Sequence, residues 1–204
     1  MPKLRKNTTV IIGEGPTEFY YLNSLKDEFR ELQNIKPDTP KNTSMRELER
    51  SIETAISMGY DRIFCLIDMD TKNKDRTSRE EYARLKSKYH GKKVSNVKKG
   101  INYEIRFFET DRCTELFFLY YFRYTGQKFI DSKAIEDELS RSCGYEKTRR
   151  FFATHPLHQF FIKSGGDFRQ AINNAVKSEE SIARGDRNYT YSELGTMFRE
   201  LGII

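Results

Sequence analysis

The hydrophobic pattern of this chain changes period several times, and each change marks an element. The first apolar run, Val10 to Ile12 behind two threonines, is β-branched and continuous, as in a buried strand. It breaks at Gly13-Glu14-Gly15-Pro16. Phe19, Leu22, Leu25, Phe29 and Leu32 then recur at helical spacing, with Thr17 placed to cap the start. Two prolines in "IKPDTP" predict a loop or a short edge strand. Met45, Leu48, Ile52 and Ile56 form the inner stripe of a second helix. Ser44 and Glu47 make its capping box, and Gly59 its stop.

"RIFCLIDMD" is apolar without alternation from Ile63 to Ile67, the pattern of a strand buried on both faces at the centre of a parallel sheet. It ends in Asp68 and Asp70. Ser78 and Glu81 predict the cap of a charged helix ending near Tyr89, and "HGKKVSNVKKG" a basic, turn-rich loop. Alternation at Tyr103, Ile105 and Phe107 predicts a strand, and "CTELFFLYYFRY" a buried helix. This order predicts an α/β fold with a mostly parallel sheet flanked by helices. Beyond Thr125 the pattern is helical, at Ala134–Leu139, Phe168–Val176 and Ser192–Leu201. The expected division is therefore an α/β unit over residues 1–125 and a helical C-terminal extension over 126–204 packed on it.

Composition adjusts this picture modestly. The 204 residues carry a net charge of +6, which favours polyanionic partners without naming one. Cys65, Cys113 and Cys143 are too far apart for a zinc ribbon and suit a reduced, cytoplasmic setting. No stretch has the apolar length of a membrane helix, and the basic start lacks the apolar run of a leader, so a soluble protein without membrane contact is expected.

The candidate chemistry lies at strand ends, where open α/β sheets bind ligands. Glu14 follows the first strand, and Asp68 and Asp70 follow the central one. If these strands are neighbours, the three carboxylates meet on one rim. In extended chain, Asp68 and Asp70 project to the same side while Met69 turns into the core. Like charges ~4 Å apart repel by roughly 4 kcal/mol at an effective dielectric near 20, a penalty that a divalent cation such as Mg2+ offsets. Gly13 and Gly15 open space beside Glu14, and Glu18 sits at the favourable N-terminal end of the following helix. The phosphate-loop pattern is absent, and Glu18 stands where a dinucleotide-binding motif needs its third glycine.

"IIGEGPTE" followed by "CLIDMDT" resembles the Toprim domain of topoisomerases, primases and OLD-family nucleases. Over nearly its full length the chain resembles the RloB-like family, which includes AbiLii abortive-infection proteins. "TDRCTELFFLYYF" is similar to a family segment, with Glu115 at its glutamate and Phe122 at its final aromatic. "GYEKTRRFF" is similar to a Tyr-x-Lys element at Tyr145 and Lys147. Asp111 and Arg112 stand where Asn and Pro are usual, and Tyr121 replaces a histidine.

The resemblance implies a nuclease that hydrolyses phosphodiester bonds of RNA or DNA with Mg2+ or Mn2+, acting in anti-phage defence or abortive infection. Glu14 would serve as general acid/base or ligand, and Asp68 and Asp70 would hold one or two cations. Glu18 is a further candidate ligand. Glu115 either completes the site or is a buried acid paired with Arg106 or Arg112. Implied partners are nucleic acid and a protein of a defence or restriction system, with homo-oligomerisation compatible with the sequence. For nucleic-acid contact the candidates are Lys147, Arg149, Arg150, Lys98 and Lys99. The rings of Phe151, Phe152, Phe160 and Phe161 read as core, and His155 and His158 as packing or hydrogen-bonding residues. The alternative function is a non-catalytic nucleic-acid-binding or regulatory partner; a nucleotidyl-transfer activity ranks last, because no triphosphate pocket is evident.

Overall fold

The structure is a computed structural model that describes residues 8–96, 101–185 and 190–203. Its centre is a five-stranded sheet in the order β2-β1-β3-β5-β4. Strands β1 (Thr9–Ile12), β2 (Ile35–Asp38), β3 (Arg62–Asp68) and β5 (Ile101–Thr110) run parallel, and β4 (Lys93–Asn96) pairs antiparallel with β5. β3 lies in the middle with β1 and β5 beside it, which is why its apolar run does not alternate with polar residues. Both faces of β3 are covered, and residues 63 to 67 are all buried.

Successive residues still feed different layers. Ile11, Phe64, Leu66 and Phe108 join a large aromatic core. Val10, Ile12, Ile63, Cys65, Ile67, Ile105 and Phe107 join a smaller one on the opposite face. The smaller core is closed by α2 (Met45–Met58) and α4 (Arg76–Tyr89) through Leu48, Ile52, Tyr82 and Leu85. The larger one is closed by α1 (Pro16–Lys26) and α5 (Glu115–Leu119). Helices α7 (Arg149–Thr154), α8 (Leu157–Lys163), α9 (Phe168–Ala183) and α10 (Leu194–Glu200) close it further. Phe152, Phe161, Ala171 and Phe198 pack in the same cluster as Ile11 and Phe64, so the C-terminal helices share a core with the sheet.

Most elements stand where the periodicity places them, and the differences have local causes. Ser44 accepts the Glu47 N–H, and Gly59, at φ 79°, ends α2 in the left-handed region. The cap of α4 is Asp75, whose carboxylate accepts the Ser78 N–H at 2.8 Å, so Ser78 lies inside the helix it was expected to start. Thr17 likewise lies inside α1. Gly15 is the cap residue and Pro16 begins the helix. Phe19, expected on the inner stripe of α1, is 39% exposed, because the helix turns Glu18, Tyr21, Leu22 and Leu25 inward instead.

The basic loop after Tyr89 contains β4, held as a hairpin partner by β5. The buried helix over "CTELFFLYYFRY" spans only Glu115–Leu119 before turns carry the chain away, although residues 115 to 121 are all buried. Among the described residues no helix is long and apolar enough to cross a membrane.

Candidate active site

β1 and β3 are adjacent, with Ile12 opposite Cys65, so the chain leaves both strands at one rim. Glu14 is the second residue past β1 and Asp68 is the last of β3. The Asp68 N–H donates to Glu14 Oε1 at 3.2 Å, which fixes the two segments together. Glu14 Oε1 also pairs at 2.6 Å with the ammonium of Lys72, a nearly buried side chain that donates to Thr71 Oγ1 as well. Lys72 ends the short helix α3 (Met69–Lys72), which starts directly after Asp68.

That helix changes the expected geometry of Asp70. The chain is not extended past Asp68, so Asp70 does not project beside it. Asp70 Oδ1 caps the Thr71 N–H at 2.5 Å, and Oδ2 accepts the hydroxyl of Ser132, the first residue of α6 (Ser132–Cys143). Met69 does pack against the smaller core.

Two further carboxylates come from helix starts. Glu18 folds back over the first turn of α1, and its Oε2 accepts the Gly15 N–H at 2.8 Å. Its stem lies on Gly13: a Cβ at that position would stand 2.5 Å from Glu18 Cβ. Gly13 therefore makes room for Glu18 itself. Glu115, at the start of α5, is fully buried. Its Oε1 accepts Tyr145 OH at 2.9 Å and Thr17 Oγ1 at 3.4 Å, and pairs with Lys147 Nζ at 3.0 Å. Its Oε2 is buried with no hydrogen-bond partner in the structure. Neither expected arginine reaches it. Arg106 pairs with Glu200, and Arg112 donates to the Phe129 carbonyl.

These groups feel one another. Burial pushes the Asp68 carboxyl well above the usual range, and the charges of Glu18, Glu14 and Glu115 push it further, with Lys147 opposing. Burial, then Glu115, raises Glu18 to about 7. Burial raises Glu14 too, against the pull of Lys72. Glu14, Glu18, Asp68 and Glu115 are thus one electrostatic cluster drawn from three chain segments. Four carboxyl groups face the two ammonium groups of Lys72 and Lys147, so acids outnumber cations by two. Thr114 Oγ1 offsets part of this by donating to Asp68 Oδ1 at 3.0 Å.

In donor chemistry the cluster fits a hard divalent cation: every ligand is oxygen, and Glu115 Oε2 has no partner. In arrangement it is not a ready-made ligand shell. Among the described residues no three Asp, Glu, His or Cys side chains are grouped so as to hold a metal ion, and Lys72 occupies Glu14.

A family model described as RloB-like protein matches residues 9–201. The chain belongs to the RloB-like family. No curated protein and no solved structure matches it.

The remaining residues singled out in this RloB-like chain divide by position. Lys147 lies between Glu115 and Glu136, at 3.0 Å from each, so its charge is used internally. Arg149 and Arg150 are exposed at the start of α7, and their side chains make no hydrogen bond or ion pair among the described residues. Lys98 and Lys99 lie outside the described residues. Tyr121 is fully buried, and its hydroxyl meets Tyr21 OH at 2.7 Å and His158 Nδ1 at 2.9 Å, not a carboxylate of the cluster. His155 stacks on Phe151.

Lys72 and Thr114 escaped the sequence reading, and Thr17 entered it only as a helix cap. Only Lys72 left a trace, as a basic residue within a turn of the strand-end acids. The two threonines carry no signal, because their role depends on which carboxylate folding places opposite them.

Proposed function

We propose that this chain is a Toprim-type nuclease that hydrolyses phosphodiester bonds of RNA or DNA with Mg2+ or Mn2+. Its proposed setting is cytoplasmic anti-phage defence or abortive infection, beside a partner protein of a defence or restriction system. The observation that carries this reading is a cluster in which acids outnumber cations by two and the buried Glu115 Oε2 has no hydrogen-bond partner. A fold keeps such a cluster when a cation offsets the repulsion.

Asp68, Glu18 and Glu115 would hold the ion, with Glu14 at its edge and Asp70 approaching from α3. A divalent cation bound there supplies polarisation of a phosphoryl oxygen and a lower pKa for the attacking water. The protein's part is positional. Lys72 and the Asp68 N–H aim Glu14 at the rim, where its carboxylate can take a proton from water or return one to the leaving oxygen. Thr114 orients Asp68, and Tyr145 and Lys147 orient Glu115. Glu14 and Asp68 are partly exposed while Glu18 and Glu115 are buried, so substrate approaches from the Glu14 side.

The test is cleavage of RNA and DNA by wild type, Asp68→Ala and Glu14→Gln with Mg2+ or Mn2+. Loss of about a hundredfold or more in both variants supports the site; equal activity in all three rejects it. A second reading, a non-catalytic nucleic-acid-binding partner, is favoured by the Glu14–Lys72 pair, which partly neutralises the cluster without metal. Calorimetric titration of the protein with MnCl2 separates the two. No binding heat, together with metal-independent strand binding, selects the second.

A further inference from the structure

Phe19 follows Glu18 directly on the first turn of α1. Among the described residues the exposed large apolar side chains are Phe19, Met58, Ile101, Ile130 and Ile162, and of these only Phe19 carries a ring. It does not stand alone. Phe19 meets Tyr20 edge-on at 5.7 Å, Tyr20 packs on Phe152 at 5.8 Å, and Phe152 packs on Tyr145 at 6.2 Å. Tyr145 is the residue whose hydroxyl holds Glu115. A continuous run of rings therefore leads from the surface beside Glu18 to the acid cluster.

The helix that contributes Phe152 to this run begins with Arg149 and Arg150, the exposed cations whose side chains have no internal partner among the described residues. The neighbouring groove between α6 and residues 144–148, about 390 Å³, offers no comparable charge. Its Lys133 pairs with Asp137 and its Lys147 with Glu136 and Glu115, while Glu146 adds a further acid. Phosphates are thus drawn to the start of α7 and repelled by the groove.

We propose that the substrate of this site is an unpaired nucleic-acid strand, with Phe19 stacking on a base beside the scissile phosphate and Arg149 and Arg150 holding neighbouring phosphates. The proposal rests on the nuclease reading for the word substrate, and on the aromatic and basic surface for the word unpaired. A base inside a duplex has both faces covered by its neighbours, so a protein ring can stack only on a base outside the helix. Arginines at the start of α7 supply the charge that tracks a backbone.

The chain contains no tryptophan, so Phe19→Trp creates a single fluorescent reporter at the stacking position. The measurement uses the full chain in EDTA, with oligonucleotides of about 12 nucleotides as single-stranded RNA, single-stranded DNA and blunt duplex. Expected are quenching of the Phe19→Trp emission by a single strand but not by the duplex, and about tenfold weaker single-strand binding by Phe19→Ala. Arg149→Gln/Arg150→Gln should flatten the salt dependence of binding, by about 0.7 in log–log slope per lost phosphate contact. Quenching by duplex as strong as by single strand, or by neither, overturns the proposal. Metal-dependent cleavage that Phe19→Ala performs as fast as wild type at limiting substrate overturns it while leaving the nuclease reading intact. Selective single-strand quenching in a protein that cleaves nothing supports strand recognition and rejects hydrolysis.

Discussion

The ammonium of Lys72 lies 2.6 Å from Glu14 Oε1, with 3% of the lysine side chain exposed. A nearly buried lysine one helical turn past the end of β3 is held there by the carboxylate that follows β1. With the Asp68 N–H, which also reaches Glu14 Oε1, this pair links the two strand ends on which the site is built.

Lys72→Met removes the charge but keeps the stem, leaving the Glu14 carboxylate without its cation. Loss of one member of a buried pair costs about 3–5 kcal/mol. Thermal unfolding should show a clearly lower Tm, and MnCl2 should raise the Tm of the variant more than that of wild type. The double variant Lys72→Met/Glu14→Gln should be less destabilised than the two single changes added together.

Stability should fall as pH rises from about 4.5 to 7. Glu18 is raised to about 7 in the fold against an ordinary value of 4.5. Between those values the folded chain holds a proton that the unfolded chain has released, so raising the pH favours unfolding, by up to about 1.4 kcal/mol per pH unit for each such group. Glu193, also raised to about 7 by burial, adds to the slope. Glu18→Gln should flatten the Tm-against-pH curve, with the Glu193 contribution remaining. A slope unchanged in Glu18→Gln would contradict the assignment.

Gly13→Ala would put a methyl group 2.5 Å from Glu18 Cβ. Overpacking of this kind costs about 1–3 kcal/mol and should displace the Glu18 carboxylate from the Gly15 N–H. Chemical denaturation measures the loss. Gly13→Ala should cost less in a Glu18→Gly background, where that Cβ is gone; an equal cost there would place the strain elsewhere.

Tyr121→Phe deletes the hydroxyl between Tyr21 and His158 and leaves both without that partner. A cost of about 1–3 kcal/mol is expected in denaturant unfolding. Cleavage measured well below the melting temperature should not change, because the Tyr121 hydroxyl touches none of the four carboxylates. A selective loss of cleavage with full stability would show that this position serves the chemistry.

Much of the fold was legible because local rules and packing agree in it. The unbroken apolar run at 63–67 could satisfy only a strand covered on both faces, and β3 is the central strand. Ser44 and Gly59 bound α2 because capping needs only neighbouring backbone groups. Where two caps compete, the pattern misled: Asp75 and Ser78 both suit the start of α4, and the longer reach of the carboxylate from an earlier position prevails. β4 went unread because an exposed four-residue edge strand needs no apolar alternation, only a partner.

From residue order alone came the family, the α/β architecture and the placing of Glu14 and Asp68 at strand ends, since a strand end and the turn after it are properties of short segments. Tertiary structure decided the rest. It moved Asp70 onto a helix, filled the space beside Glu14 with Lys72, and set Glu115 against Tyr145 and Lys147 rather than an arginine. The physical reason is range. Hydrogen-bonding pattern and apolar period act over a few residues, whereas the charge that balances a buried carboxylate comes from wherever folding brings a cation within contact.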